Sequence, residues 1–138
     1  LRDDPRLAEL SIMGNNSLQD MTVIAVSILS GEVAAMKGDI DAATEFLEQA
    51  VAIEDGLIYS EPRDWPQPAR HSLGAVLLQA GKPAEAERVY NADLGVHREN
   101  GWSLYGLSKS LEQQGKAAAA AAARMRFEKA WPVWMQSR

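Results

Sequence analysis

Cysteine is absent from all 138 residues, which excludes disulfides and thiolate chemistry but says almost nothing about compartment. Only two histidines occur, His71 and His97, and neither has a second histidine four residues away. No zinc site is expected, and no metal or cofactor is assigned. Glu61 and Asp64 could offer oxygens to a hard cation, yet no calcium-loop spacing surrounds them. Positive charge is in deficit: 19 acidic residues against 14 basic ones give a net charge of −5. That balance argues against nonspecific binding to nucleic acid or to an anionic membrane surface. No apolar run stands out as long enough to cross a bilayer, so no membrane insertion is expected. There is no phosphate-binding loop, dinucleotide fingerprint, nucleophile elbow or metalloprotease helix, and the chain does not read as an enzyme. It begins at Leu1 without a signal-peptide pattern, which reads as a fragment or processed form of a longer protein. A soluble protein is expected, with cytoplasm and periplasm both open.

What is present is ordinary in amount and unusual in arrangement. With 46% hydrophobic and 24% charged residues, the length suits one domain with a real core. Three phrases, "AAMKGDIDAATEF", "VLLQAGKPAEAERVY" and "SLEQQGKAAAAAAARM", each run through a helical stretch to a glycine and into a second helical stretch. Gly38, Gly81 and Gly115 stand where a left-handed residue would close the first helix. Gly81 and Gly115 lie 34 residues apart, whereas Gly38 and Gly81 lie 43 apart, nine more. Paired helices are expected near 19–37 and 41–54, 67–80 and 84–95, and 101–114 and 117–131. In the second pair Leu73, Val76, Leu77, Ala80, Ala86, Val89 and Tyr90 recur at spacings of three and four. A short helix over about 4–12 and a turn at "GNNS" precede them, with Ser17 as N-cap of the first long helix. The alanine run Ala117 to Ala123 reads as an ordinary second helix. Phe127, Trp131 and Trp134 read as a terminal cap over the last apolar face.

A 34-residue helix–turn–helix period resembles the tetratricopeptide-repeat (TPR) family over Val23 to Pro132. With each glycine at motif position fifteen, the small eighth position falls on Gly31, Gly74 and Ser108. The alanine at position twenty falls on Ala43, Ala86 and Ala120. The aromatic twenty-fourth falls on Leu47, Tyr90 and Arg124, and the small twenty-seventh on Ala50, Asp93 and Phe127. Pro132 alone matches the proline at thirty-two. The phrase "LGAVLLQAGKPAEAERVY" matches best and the third repeat departs most. The resemblance implies an all-α fold, a right-handed superhelical solenoid of antiparallel helix pairs. One domain over 1–138 is expected, with repeats at about 24–57, 67–100 and 101–134, an insertion at about 58–66, a short N-terminal helix and a C-terminal cap.

The resemblance also implies a function. TPR domains of bacterial type, to which this one looks similar, bind a peptide or protein segment in a concave groove lined by the first helices. Carried over, the groove positions are Ala25, Ile28, Glu32, Ala35 and Met36, then Pro68, His71, Ala75, Leu78 and Gln79, then Trp102, Tyr105, Lys109, Glu112 and Gln113. Trp102 and Tyr105 are the favoured anchors, because their rings join apolar area to a polar handle. Lys109 is the sole cation in this set, so a clamp for a peptide's terminal carboxylate is not expected. Asp93 departs from the motif, as does Arg70 at a position often held by Trp; a partly buried Arg70–Asp93 ion pair is expected. The insertion lies within "YSEPRDWPQPARHSLG", where Pro66 and Pro68 mark a helix start, Tyr59 and Trp65 fold back on the stack and His71 faces the groove. The alternatives are a self-associating structural domain that dimerises through its terminal helices, or a regulatory C-terminal domain of an enzyme.

Overall fold

A computed structural model describes residues 4–12 and 15–131. Apart from two strands of two residues each, the described elements are helices: α1 (Arg6–Glu9), α2 (Leu18–Met36), α3 (Ile40–Asp55), α4 (Ala69–Gln79), α5 (Pro83–Val96), α6 (Gly101–Gln113) and α7 (Ala117–Ala130). The fold is all-α, built from helices packed in consecutive pairs, the organisation of a helical repeat. The chain divides into two compact units, Leu1–Ser72 and Leu73–Arg138, and the boundary falls within α4.

The three glycines do what their spacing suggested. Gly38, Gly81 and Gly115 have φ of +82°, +72° and +73° and close α2, α4 and α6. A side chain there would be strained whatever space surrounded it. Each second helix then starts within two residues, with the Asp39 carboxylate accepting from the amide of Ala42 at the head of α3. Ser17 caps α2, accepting from the amide of Asp20 at 3.0 Å and donating to its carboxylate at 2.7 Å.

In the first unit, α2 buries Met21, Ile24, Ser27, Gly31 and Ala34, and pairs with α3. Gly31 permits the approach: a Cβ there would lie 2.6 Å from Leu47 Cγ. Met21, Ile24, Ala50 and Ala69 form an apolar cluster, against which Ile28, Val51, Ile53, Leu57 and Trp65 pack. Trp65 thus folds onto the helices as expected, although its buried Nε1 finds no hydrogen-bond partner among the described residues. Two expectations need correction here. The leading helix is only one turn, Arg6–Glu9, and Ser11–Ile12 pairs antiparallel with Asn16–Ser17 instead of continuing it. The other concerns α2, whose nineteen residues are long and apolar enough to cross a bilayer by length and composition alone. The run escapes a reading by eye because Asp20 and Glu32 interrupt it, yet it carries no other charge before Lys37.

In the second unit, Tyr90 of α5 is the central side chain. Its ring, 5% exposed, lies between Gly74 of α4 and Gly106 of α6. Leu73, Val76, Leu77, Ala86, Leu104, Leu107 and Leu111 complete the buried apolar set, with Ala120 and Ala123 from α7. The alanine run is helical as expected, but only these two of its residues are buried. Glu99 turns the chain between α5 and α6 at φ +57°, an unusual value for a side-chain-bearing residue, and its carboxylate receives three bonds from the Arg126 guanidinium.

Candidate functional site

The expected groove positions fall on α2, on and just before α4, and on α6. On α2, Ala25, Glu32 and Met36 are exposed, Met36 at 87%. Ala35 is half-buried, and Ile28 packs on the Met21–Ile24 cluster. Glu32 accepts a hydrogen bond from Ser72 Oγ at 2.9 Å. Leu29 and Val33, which the motif positions do not include, are also exposed, at 63% and 39%. Around α4, Pro68 is buried, His71 and Leu78 are half-buried, and Ala75 and Gln79 are exposed.

The α6 positions form the best-defined surface. Trp102 and Tyr105 are 62% and 43% exposed, with Lys109, Glu112 and Gln113 following at helical spacing. α7 runs back along α6 and fixes both rings from behind. Trp131 meets Trp102 edge-on, with centroids 5.2 Å apart, and Phe127 lies 5.5 Å from Tyr105. Phe127 and Trp131 themselves are 6.1 Å apart, so four rings form one continuous cluster. Trp131 reaches this place because Gly101 opens the wall: a Cβ there would come 2.6 Å from Trp131 Cε3. Of the three residues read as a terminal cap, Phe127 and Trp131 pack against the α6 rings, while Trp134 lies outside the described residues. Lys109 Nζ stands 5.7 Å from the Tyr105 ring and 2.8 Å from the Glu112 carboxylate. Farther along the same hairpin, an open hollow of about 500 Å³ is lined by Glu112, Gly115, Ala117, Ala120, Ala121, Arg124 and Met125.

Arg70 and Asp93 fall in different units, and each makes contacts within its own. Both terminal guanidinium nitrogens of Arg70 bind the Asp55 carboxylate at 2.6 Å. Asp93 is fully buried; its carboxylate accepts from Ser103 Oγ at 2.5 Å and lies 2.8 Å from His97 Nδ1. The serine hydroxyl donates to the carboxylate, whereas a nucleophilic serine would donate to the imidazole. The partnership with His97 had a readable signal, the spacing of four along one helix.

In the insertion, Asn16 supplies an anchor that the sequence did not disclose. Its amide nitrogen donates to Ile58 O at 2.8 Å and to the Asp64 carboxylate at 2.7 Å, and its oxygen accepts from Ile58 N at 2.8 Å. Tyr59 does not fold back, contrary to expectation. It is 64% exposed, with Arg63 5.4 Å over its ring and its hydroxyl donating to Glu61.

Among the described residues, no group of three or more His, Cys, Asp or Glu side chains could hold a metal ion. Compared with known families, residues 67–92 match the tetratricopeptide repeat model, which covers the α4–α5 hairpin. No curated protein and no solved structure matches the chain. Tetratricopeptide repeats are, as a class, protein-interaction folds without catalysis of their own. Closed by Gly81, and with Tyr90 packed against Gly74, the hairpin at 67–92 is the part of the chain that is similar to a tetratricopeptide repeat.

Proposed function

We propose that the chain binds a protein or peptide segment on the first helix of each of its helix pairs. The observation that carries this reading is the pair Trp102 and Tyr105. Two large rings stay exposed to solvent while Trp131 and Phe127 hold their orientation from behind. Anchors already fixed in place lose little side-chain entropy on binding, which favours recognition over simple coverage. Lys109 and Glu112 add a polar rim beside them, as interaction surfaces commonly have. The expected share of α2, with Glu32 and Met36, and that of α4, with Ala75 and Gln79, belong to the same reading. So do the division into three repeats, the insertion at 58–66 and the Arg70–Asp93 pair. The partner is a polypeptide, not a nucleic acid: the net charge of −5 offers no cationic footprint.

A randomised peptide display selected on the intact chain tests the reading. Selected peptides should lose at least about tenfold in affinity to a Trp102→Ala, Tyr105→Ala variant, since hot-spot aromatics each contribute about 2 kcal/mol or more. Peptides that bind wild type and variant equally would remove the α6 surface from the proposal.

A further inference from the structure

Helix α2 carries two apolar rows. One, with Met21, Ile24, Gly31 and Ala34, is buried in the first unit. The other, Val26, Leu29, Val33 and Met36, recurs at spacings of three and four and is exposed along its whole length of about 15 Å. Of this second row, only Met36 is among the groove positions implied by the motif. A row with that spacing fits the apolar side of another helix. The chain itself already lays one helical turn, α1, against α2.

Charge selects what can lie on this row. Between Leu18 and Asp55 stand eight acidic side chains and one basic one, Lys37, whereas residues 73–138 hold six acidic and nine basic. Glu32 lies on α2 within the length of the row. Helix α3 returns along α2 and adds the exposed Phe46 together with the exposed acids Asp41, Glu45 and Glu48. These three carboxylates have no side-chain hydrogen bond or ion pair among the described residues. An anionic membrane, or the same acidic surface on a second copy, would be repelled here. We propose that the row is the docking surface for a cationic amphipathic helix of a partner protein. Its apolar side chains lie on Val26, Leu29, Val33 and Met36, and its lysines or arginines face Glu32 and the acids of α3. A single helix on four exposed side chains makes a small interface, so the association is weak, with a dissociation constant of about 10 μM or more. This goes beyond the partner-binding reading of Trp102 and Tyr105, since it names the partner's chemistry and uses a different surface.

Fluorescence anisotropy tests the proposal, with the full chain titrated into a labelled synthetic peptide of about sixteen residues. The peptide carries leucines at helical spacings of three and four, flanked by lysines. It should bind at low salt and several-fold more weakly at high salt. A Leu29→Gln, Val33→Gln variant, changed at two exposed helical positions, should melt like wild type and bind at least about tenfold more weakly. A peptide of the same composition in scrambled order should lose binding as well, because charge without an apolar row does not dock. The Trp102→Ala, Tyr105→Ala variant should bind this peptide as wild type does, which keeps the outcome separate from that of the display experiment. Absence of binding overturns the proposal, as does equal binding by the Leu29→Gln, Val33→Gln variant, by the scrambled peptide or by a peptide with glutamates in place of its lysines. Self-association of wild type, or binding to phosphatidylcholine vesicles, that the same double variant abolishes would give the row to a second copy or to lipid and overturn it too.

Discussion

Replacing Gly106 by alanine should destabilise the protein, although alanine is the better helix former. The ring of Tyr90 is caught between two glycines on two helices, and it is 5% exposed. A Cβ built on Gly106 overlaps Cζ, Cε1 and Cε2 of that ring, closer than carbon atoms ever approach. The ring cannot retreat, because on its far side the backbone of Gly74 is so near that a Cβ there would lie 2.5 Å from Cζ. Overpacking of this kind costs about 1–3 kcal/mol. Against it stands the gain of about 1 kcal/mol from replacing a helical glycine with alanine. With an approach this close the overpacking falls in the upper part of that range, about 2–3 kcal/mol, so the net expectation is a loss of about 1–2 kcal/mol, or several degrees in melting temperature. Gly95 provides the internal control: it is helical, a Cβ there meets nothing within 4 Å, and Gly95→Ala should gain about 0.5–1 kcal/mol. Urea denaturation of the three proteins, followed by circular dichroism, measures both effects. A double variant with Tyr90→Leu should lose less than the sum of its parts, because a smaller side chain makes room for the methyl. Gly106→Ala as stable as wild type would refute the account of the ring as a wedge.

Two further outcomes follow from other parts of the structure. Asn16→Ala removes three hydrogen bonds to the insertion and leaves both backbone groups of Ile58 without them, at a cost of about 2 kcal/mol. Amide exchange at Ile58 should accelerate while that of α3 stays put; unchanged protection at Ile58 would mean that Asn16 does not hold the segment. Burial pushes the Tyr90 phenol up to about 12. The unfolded chain then ionises this group near its ordinary value of 10, before the folded one does. Its contribution is complete below pH 10 and is lost as pH rises from about 10 to about 12. A Tyr90→Phe variant should lack this alkaline loss, as seen by comparing denaturation midpoints across that range.

The sequence carried most of the helical framework and less of the surface. The three glycines were legible because a helix stop needs a left-handed residue and little else; each helix from α2 to α7 lies within two residues of its expected bounds. Ser17 was legible for the same reason, since a cap is a contact between close neighbours. What escaped depends on residues far apart. The bonds from Asn16 to Ile58 and Asp64 span more than forty positions, and no local pattern announces them. The single turn of α1 escaped because a four-residue helix owes little to periodicity. Tyr59 was expected inside, but it stays exposed beside Arg63 and Glu61, neighbours that a ring's size does not announce. At the candidate site the positions of Trp102 and Tyr105 came from the motif. Their fixed geometry came from Phe127 and Trp131, whose reach across the hairpin depends on Gly101.

The pairing of helices with their chain neighbours has a consequence for how the protein acquires its structure. α2 packs with α3, α5 with α6, and α6 with α7, each partner reached through a short turn. Contacts between near neighbours cost little loop-closure entropy, so such chains cross low barriers and fold fast. A ribosome releasing this chain would therefore deliver each hairpin ready to close as soon as its second helix emerged. Little apolar surface would wait long enough for other chains to find it.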